Sequence, residues 1–169
     1  VTDHAKVTVT DSVGELRDRD NRKQNLIIFN VGEHESEDVD SRKMYDISQA
    51  TELFESELGV NTEISNPVRL GKRLPDNKYP RPLRVTVDSE QTKWKLLRAA
   101  KNLKDTGKEE FKAVYLKKDM TQLERSIEAD LRKQLAEKRK DALDRGEECS
   151  WIIRKGKLVN QQRTLAANN

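Results

Sequence analysis

Apolar residues along this chain change their spacing several times, and each change predicts a different secondary-structure element. The run from Leu26 to Val31 is short and apolar on both faces, which is typical of a buried central strand. Apolar residues then recur at helical spacing until Gly59 and predict a first helix; they are Met44, Ile47, Leu53, Phe54 and Leu58. Residues 60–70 are interrupted by Asn66-Pro67, which favours an edge strand because proline cannot donate a backbone hydrogen bond.

The next segments predict the rest of one folding unit. Residues 71–82 are rich in proline and predict a long loop, and Leu83, Val85 and Val87 then alternate with polar residues as in a half-buried strand. Ser89 is placed to cap a second helix, whose apolar positions are Trp94, Leu97, Ala100 and Leu103. Residues 113–116 predict a fourth strand. Residues 25–118 therefore predict the order β-α-β-β-α-β, which is the plan of an RRM-like sandwich in an α+β protein.

Residues 1–24 carry a weaker helical pattern. Val9, Val13 and Leu16 have the four-then-three spacing of a coiled-coil seam, and a highly charged stretch follows them. Gly14 weakens this helix, and the pattern is too short to decide between two interpretations. Residues 1–24 are either a polar helix or linker, or the end of a longer oligomerising coiled coil.

Residues 119–160 predict a C-terminal helix followed by a β-hairpin. Thr121 and Glu124 have the spacing of a capping box, in which each side chain satisfies an unpaired amide at the helix start. An apolar stripe then recurs every four residues, at Leu123, Ile127, Leu131 and Leu135. Residues 151–159 predict a hairpin that turns at Lys155-Gly156, with Trp151 packed against the helix. Residues 161–169 are expected to be disordered.

Composition narrows the classes of function. Charged residues make up 37% of the 169 residues and hydrophobic residues only 34%, which is unlike a large globular enzyme. The single Cys149 cannot form an intrachain disulfide, and its spacing from His4 and His34 is not that of a zinc site. Neither histidine is near Cys149 in the sequence, so Cys149 has no candidate base that would make it a catalytic nucleophile. We therefore expect no catalysis, no metal and no cofactor.

No stretch approaches the roughly 18 apolar residues of a membrane span, so no membrane partner is expected. A chain that begins without Met is expected to be a fragment.

The net charge of +3 conceals a strong segregation of charge along the chain. Residues 33–57 are acidic, whereas residues 69–84 and 93–118 are basic. A one-sided positive field is typical of phosphate binding, and a proline-held loop is a suitable place for it. The candidate residues of this loop are Arg69, Lys72, Arg73, Lys78, Tyr79, Arg81 and Arg84.

Four short motifs occur in an order that is familiar from one family. They are Asn25-Leu26-Ile27-Ile28-Phe29, Pro67-Val68-Arg69-Leu70-Gly71-Lys72, Arg81-Pro82-Leu83-Arg84-Val85 and Leu97-Arg98-Ala99-Ala100-Lys101. Asp119-Met120-Thr121 then opens a helix, and a terminal hairpin follows. From about residue 16 to residue 160, the chain resembles the first-open-reading-frame protein of LINE-1-type non-LTR retrotransposons, the transposase-22 group.

The resemblance implies an RNA-coating protein that acts as a nucleic-acid chaperone. It also implies a homo-trimer held by a coiled coil, most of which would lie upstream of these residues, and a cytoplasmic ribonucleoprotein with the nucleus as a second location. By position, the residues expected to contact RNA are Arg22, Lys23, Arg69, Lys72, Arg73, Arg81, Arg98 and Lys101.

The sequence also predicts whether the protein recognises the bases of a bound strand or only its phosphates. An ordinary RRM stacks bases on aromatic residues of its first and third strands, but here only Phe29 is aromatic and we assign it to the core. Binding is therefore expected to depend on phosphate contacts and to be weakly sequence-specific. Single-stranded RNA is the expected partner, with DNA as the other option. The alternative function is a protein-protein interaction module built on the same fold.

Overall fold

A computed structural model describes residues 2–74, 78–147, 150–154 and 156–161 of the chain. The chain divides into two compact units, Val1–Asp119 and Met120–Asn169. The elements of the first unit, in chain order, are helix α1 (Thr2–Arg22), strand β1 (Asn25–Phe29), helix α2 (Val39–Glu52) with a π-helical turn (Leu53–Glu57), strands β2 (Ile64–Arg69) and β3 (Leu83–Val87), helix α3 (Glu90–Ala99) with a 3₁₀ turn (Ala100–Asp105), helix α4 (Glu109–Lys112) and strand β4 (Tyr115–Lys118).

The strands of the first unit form one four-stranded antiparallel sheet in the order β2-β3-β1-β4. The α+β class is therefore confirmed, as are the central position of β1 and the edge position of β2. The register of β2 with β3 shifts between Ser65 and Val68, beside Pro67, and Asn66 has a φ of 49°. An edge strand tolerates this irregularity because one of its sides has no ladder to maintain.

One face of this sheet packs against the helices and forms the core. Leu26 and Ile28 of β1 and Leu83, Val85 and Val87 of β3 point to this face. They meet residues from the helical segments, which are Ala50, Leu53, Phe54, Leu96, Leu103 and Phe111. Because successive residues of a strand point to opposite faces, the alternating residues of β1 and β3 line the other face. That second face is called the open face below.

The structure corrects two of the predicted core positions. Met44 is 72% exposed and Trp94 is 46% exposed, whereas Asp46 and Leu96 are buried. In each helix the buried residue lies two positions later, which is about 200° around the helix axis. The buried place on α2 is occupied by a carboxylate because Asp46 has an arginine partner inside the fold.

The fourth strand begins two residues later than the sequence predicted. Residues 109–112 form the short helix α4, which buries Phe111, and Val114 is buried directly before β4. The apolar residues before β4 therefore belong to the helical layer rather than to the sheet.

Helix α1 runs directly into the sheet. Arg22, its last residue, donates to Asp119 Oδ1 at 2.9 Å and to Asp18 Oδ1 at 2.7 Å. The buried ammonium of Lys93 on α3 donates to the backbone carbonyl of Lys23. Val13 and Leu16 are exposed at 41% and 63%, which is compatible with either interpretation of this segment.

The second unit consists of helix α5 (Gln122–Asp144) and a hairpin of strands β5 (Trp151–Arg154) and β6 (Lys157–Asn160). The capping box is confirmed, since Thr121 Oγ1 accepts from the amide of Glu124 and the Glu124 carboxylate accepts from the amide of Thr121. Half-buried Trp151 lies against α5, with Lys138 Nζ 4.3 Å from its ring centroid. Cys149, Lys155 and most of the predicted disordered tail, residues 162–169, lie outside the described residues.

Candidate nucleic-acid interface

Arg69 lies inside the fold and not on the surface of the predicted basic loop. Its Nε and Nη2 lie 3.0 and 2.7 Å from Asp46 Oδ1, and the two side chains are only 6% and 8% exposed. The guanidinium also donates to the carbonyls of Val31, Gly32 and Arg81. These partners occupy the donors that a phosphate would need. The geometry therefore gives Arg69 a structural role in place of the expected phosphate contact.

Arg81 holds the β2–β3 loop to the segment after β1. Its Nε lies 2.9 Å from Glu33 Oε1, its Nη2 contacts the same oxygen, and its Nη1 donates to the carbonyl of Gly71 at 3.2 Å. Burial opposes ionisation of Glu33, but the hydrogen bonds from Arg81 outweigh it and lower the pKa of this carboxyl. Arg81 is therefore also committed to internal partners.

The outer part of the loop is exposed. Arg73 donates to the carbonyls of Glu35 and Ser36, at 2.9 and 3.5 Å, and thereby ties the loop to the acidic segment. Lys72 and Lys78 are exposed, and Tyr79 is 63% exposed, with Lys78 Nζ 5.3 Å from its ring centroid. This is the part of the predicted loop that solvent and a ligand can reach.

Arg22 and Lys23, predicted at the end of α1, both have acidic neighbours. Hydrogen bonding to Asp18 raises the pKa of Arg22, and hydrogen bonding to Asp20 raises the pKa of Lys23. Arg22 is partly buried and spans two carboxylates, so it fastens α1 to the sheet. Lys23 remains exposed beside Asp20.

Helix α3 presents a second group of cations. Arg98 and Lys101 are both exposed, and they lie about one turn apart on the same side as Trp94. Lys93 Nζ lies 4.9 Å from the Trp94 ring centroid. The exposed position of Trp94 was missed at the sequence level because an apolar residue at helical spacing was assigned to the core.

Phe29 lies on the open face of the sheet, so its assignment to the core was wrong. Leu26 and Ile28 take the covered face of β1, and the two-residue period of a strand sends Phe29 to the opposite side. Its ring stacks on Tyr115 of β4, with centroids 4.6 Å apart and an interplanar angle of 2°. The sequence gives no signal for this placement, because β1 is apolar on both faces and either set of alternating residues could face the core.

Cations accompany this ring pair on the open face. Arg84 of β3 and Lys117 of β4 both lie opposite Ile27 of β1, one on each side. Lys117 Nζ lies 5.7 Å from the centroids of both rings. Arg84 was among the predicted residues. Tyr115 lay within the predicted fourth strand but was not a candidate, because the sequence does not show that it pairs with Phe29 across β1 and β4.

Comparison with known proteins does not assign this chain to a family. No model of a known protein family matches the chain, and no curated protein sequence matches it significantly. Within the described ranges, no helix combines the length and apolarity needed to span a bilayer. In that same part of the chain, no group of three or more His, Cys, Asp or Glu side chains is placed to hold a metal ion.

Proposed function

We propose that this chain is a single-stranded nucleic-acid-binding protein whose first unit is an RRM-like domain. The observation that carries the proposal is the sheet of order β2-β3-β1-β4, with helices on one face and Arg84 and Lys117 on the other. This layout leaves one face of the sheet without helices and with two cations on it, to which a flexible strand can bind. The resemblance to LINE-1-type proteins supports RNA as the strand and a coating and chaperone function.

The proposed phosphate contacts are the cations that the fold leaves accessible. Lysine and arginine side chains that hold phosphates position a strand but do not read its sequence, so coating with low sequence specificity follows. Five predicted contacts are omitted because they bind carboxylates or carbonyls within the fold, namely Arg22, Lys23, Arg69, Arg73 and Arg81. The proposed set is Lys72, Lys78, Arg84, Arg98, Lys101 and Lys117.

The oligomeric state and the cellular location also belong to the proposal. The family resemblance supports a homo-trimer held by a coiled coil. The expected location is a cytoplasmic ribonucleoprotein, with the nucleus as a second site. A protein-interaction module is the second candidate function, and the exposure of Leu123 and Ile127 on α5, at 48% and 46%, favours it.

Binding of a mixed-sequence single-stranded RNA at several salt concentrations tests the proposal. If about four to six phosphates are neutralised, log affinity should fall against log salt with a slope of about −3 to −4, or about −0.7 per contact. Replacing Arg98 and Lys101 by Ala should reduce the steepness by about 1.4 and weaken binding to all sequences alike.

Lys140→Ala provides a matched control, because Lys140 is an exposed cation on α5 outside the proposed set. It should leave the slope unchanged. A wild-type protein that binds neither RNA nor DNA single strands at low salt would contradict the proposal and favour the interaction module.

A further inference from the structure

The Phe29–Tyr115 ring pair is the feature of the open face that phosphate binding leaves unexplained. The two residues are direct partners across β1 and β4, and their rings lie parallel at 4.6 Å between centroids. Tyr115 is 43% exposed. Since Leu26 and Ile28 fill the covered face of β1, the Phe29 ring contributes nothing to the main core. Two large rings are thus held on a surface where solvent reaches them.

Resting on the proposed function, we infer that this ring pair is a stacking site for an unpaired base of the bound strand. Planar rings on a sheet surface can accept a base because every base has a π-face, and such stacking tolerates any sequence. The pair is already aligned, so a base continues an existing stack and no side chain has to be reoriented. In the part of the chain that the structure describes, β4 is an edge strand, and therefore no further strand flanks the Tyr115 side of the pair.

The charges around the rings fit a nucleic-acid strand better than an apolar protein partner. Lys117 Nζ is equidistant from both ring centroids, at 5.7 Å, and Arg84 lies in the same cross-strand row on the other side of Ile27. Cations placed one row from the rings can hold the phosphates that flank a stacked base. The carboxylate that follows β4, Asp119, is buried and bound by Arg22 and Asn25, so it does not repel the strand.

The position of the pair distinguishes it from the usual base platform of this fold class. An ordinary RRM stacks bases on aromatic residues of its first and third strands. Here β3 contributes Arg84 and Thr86 to the open face, and the second ring comes from β4. The stacked base is therefore displaced towards the β4 edge of the sheet. The site adds an uncharged contribution to binding but does not specify which base is bound.

Two ring-removing variants test the inference, Phe29→Leu and Tyr115→Leu, each measured with two probes. One probe is a mixed-sequence single-stranded RNA, and the other is an abasic oligonucleotide of the same length and charge. With the RNA, each variant should bind roughly 5- to 150-fold more weakly, which is the range that one stacked base contributes. With the abasic probe, the variants should bind as tightly as the wild type. The salt slope should not change, because stacking is hardly screened.

Tyr115→Phe is the matched control, since it keeps the ring and removes the hydroxyl alone, and it should bind the RNA like the wild type. Unchanged RNA affinity in both leucine variants would overturn the inference while leaving the proposed function intact. Equal losses with RNA and with the abasic probe would also overturn it, because they would show a damaged surface rather than a lost stack. Failure of the wild type to bind any single strand would instead defeat the proposed function itself.

Discussion

Replacing Arg69 by Met separates a structural arginine from a phosphate ligand. The guanidinium and Asp46 form an ion pair in which the two side chains are 6% and 8% exposed. Methionine keeps much of the side-chain volume but leaves the Asp46 carboxylate buried without its partner. Removing one member of a buried ion pair costs about 3 to 5 kcal/mol. Because a domain of this kind is stable by only about 5 to 15 kcal/mol, this loss is a large fraction of the total.

The assay is urea unfolding at neutral pH, with amide hydrogen exchange of β1 and β3 to report on the first unit alone. Arg98→Met is the control, since Arg98 is exposed on α3 and its loss should change stability by less than about 0.5 kcal/mol. The double variant Arg69→Met with Asp46→Leu should regain only part of the stability. It removes the unpaired carboxylate, but the carbonyls of Val31, Gly32 and Arg81 still lose the donor that Arg69 supplies.

If Arg69→Met unfolds at the same urea concentration as Arg98→Met but loses RNA affinity, the buried pair contributes little and Arg69 contacts phosphate in the complex. The sequence-based prediction for Arg69 would then hold.

Further predictions concern the ion pair of Arg81 with Glu33 and two helix ends. The pKa of Glu33 is lowered in the fold, so its stabilisation is present above the ordinary carboxyl pKa of about 4.3 and is lost as pH falls through the lowered value. Glu33→Gln should therefore flatten the acid limb of stability in urea titrations, and an unchanged limb would contradict it. Thr121→Ala should destabilise the first turn of α5 by about 1 kcal/mol in hydrogen exchange, whereas Thr121→Ser should not. Gly59→Ala should cost about 1 to 2 kcal/mol in unfolding experiments, because Gly59 has a φ of +64° after the π-helical turn.

Much of the fold could be predicted because the local patterns and the tertiary structure agree. Pro67 marks β2 as an edge strand, and Ser89 caps α3 with its hydroxyl accepting from the amide of Thr92. The errors arose where two patterns compete. Trp94 and Leu96 lie about 200° apart on α3, and each has other apolar residues of the helix at helical spacing. Only the packing of α3 against the sheet decides which of the two faces is buried.

The candidate site was harder to predict because charge alone does not reveal a partner. Arg69 and Arg81 stand among basic residues in the sequence, yet Asp46 and Glu33, which bind them, lie 23 and 48 positions away. Tyr115 could not be linked to Phe29 before the register of β4 against β1 was known. Lys72 and Lys78 of the predicted loop are exposed, and their contact with nucleic acid stays a prediction.

The junction between α1 and the sheet determines where the open face points. Lys23 and Gln24 alone separate α1 from β1, and Lys93 and Arg22 fix this short connection from two sides. Helix and sheet must therefore turn together. Because successive residues of a helix are about 100° apart, shifting the bundle-facing positions of α1 by one residue would rotate the sheet by about 100°. In a bundle of copies joined through α1, the rotation of each helix about its own axis would set the direction in which the open face of its sheet points. The path of a strand around such an assembly would then be determined by helical phase, at a distance from any residue that touches the strand.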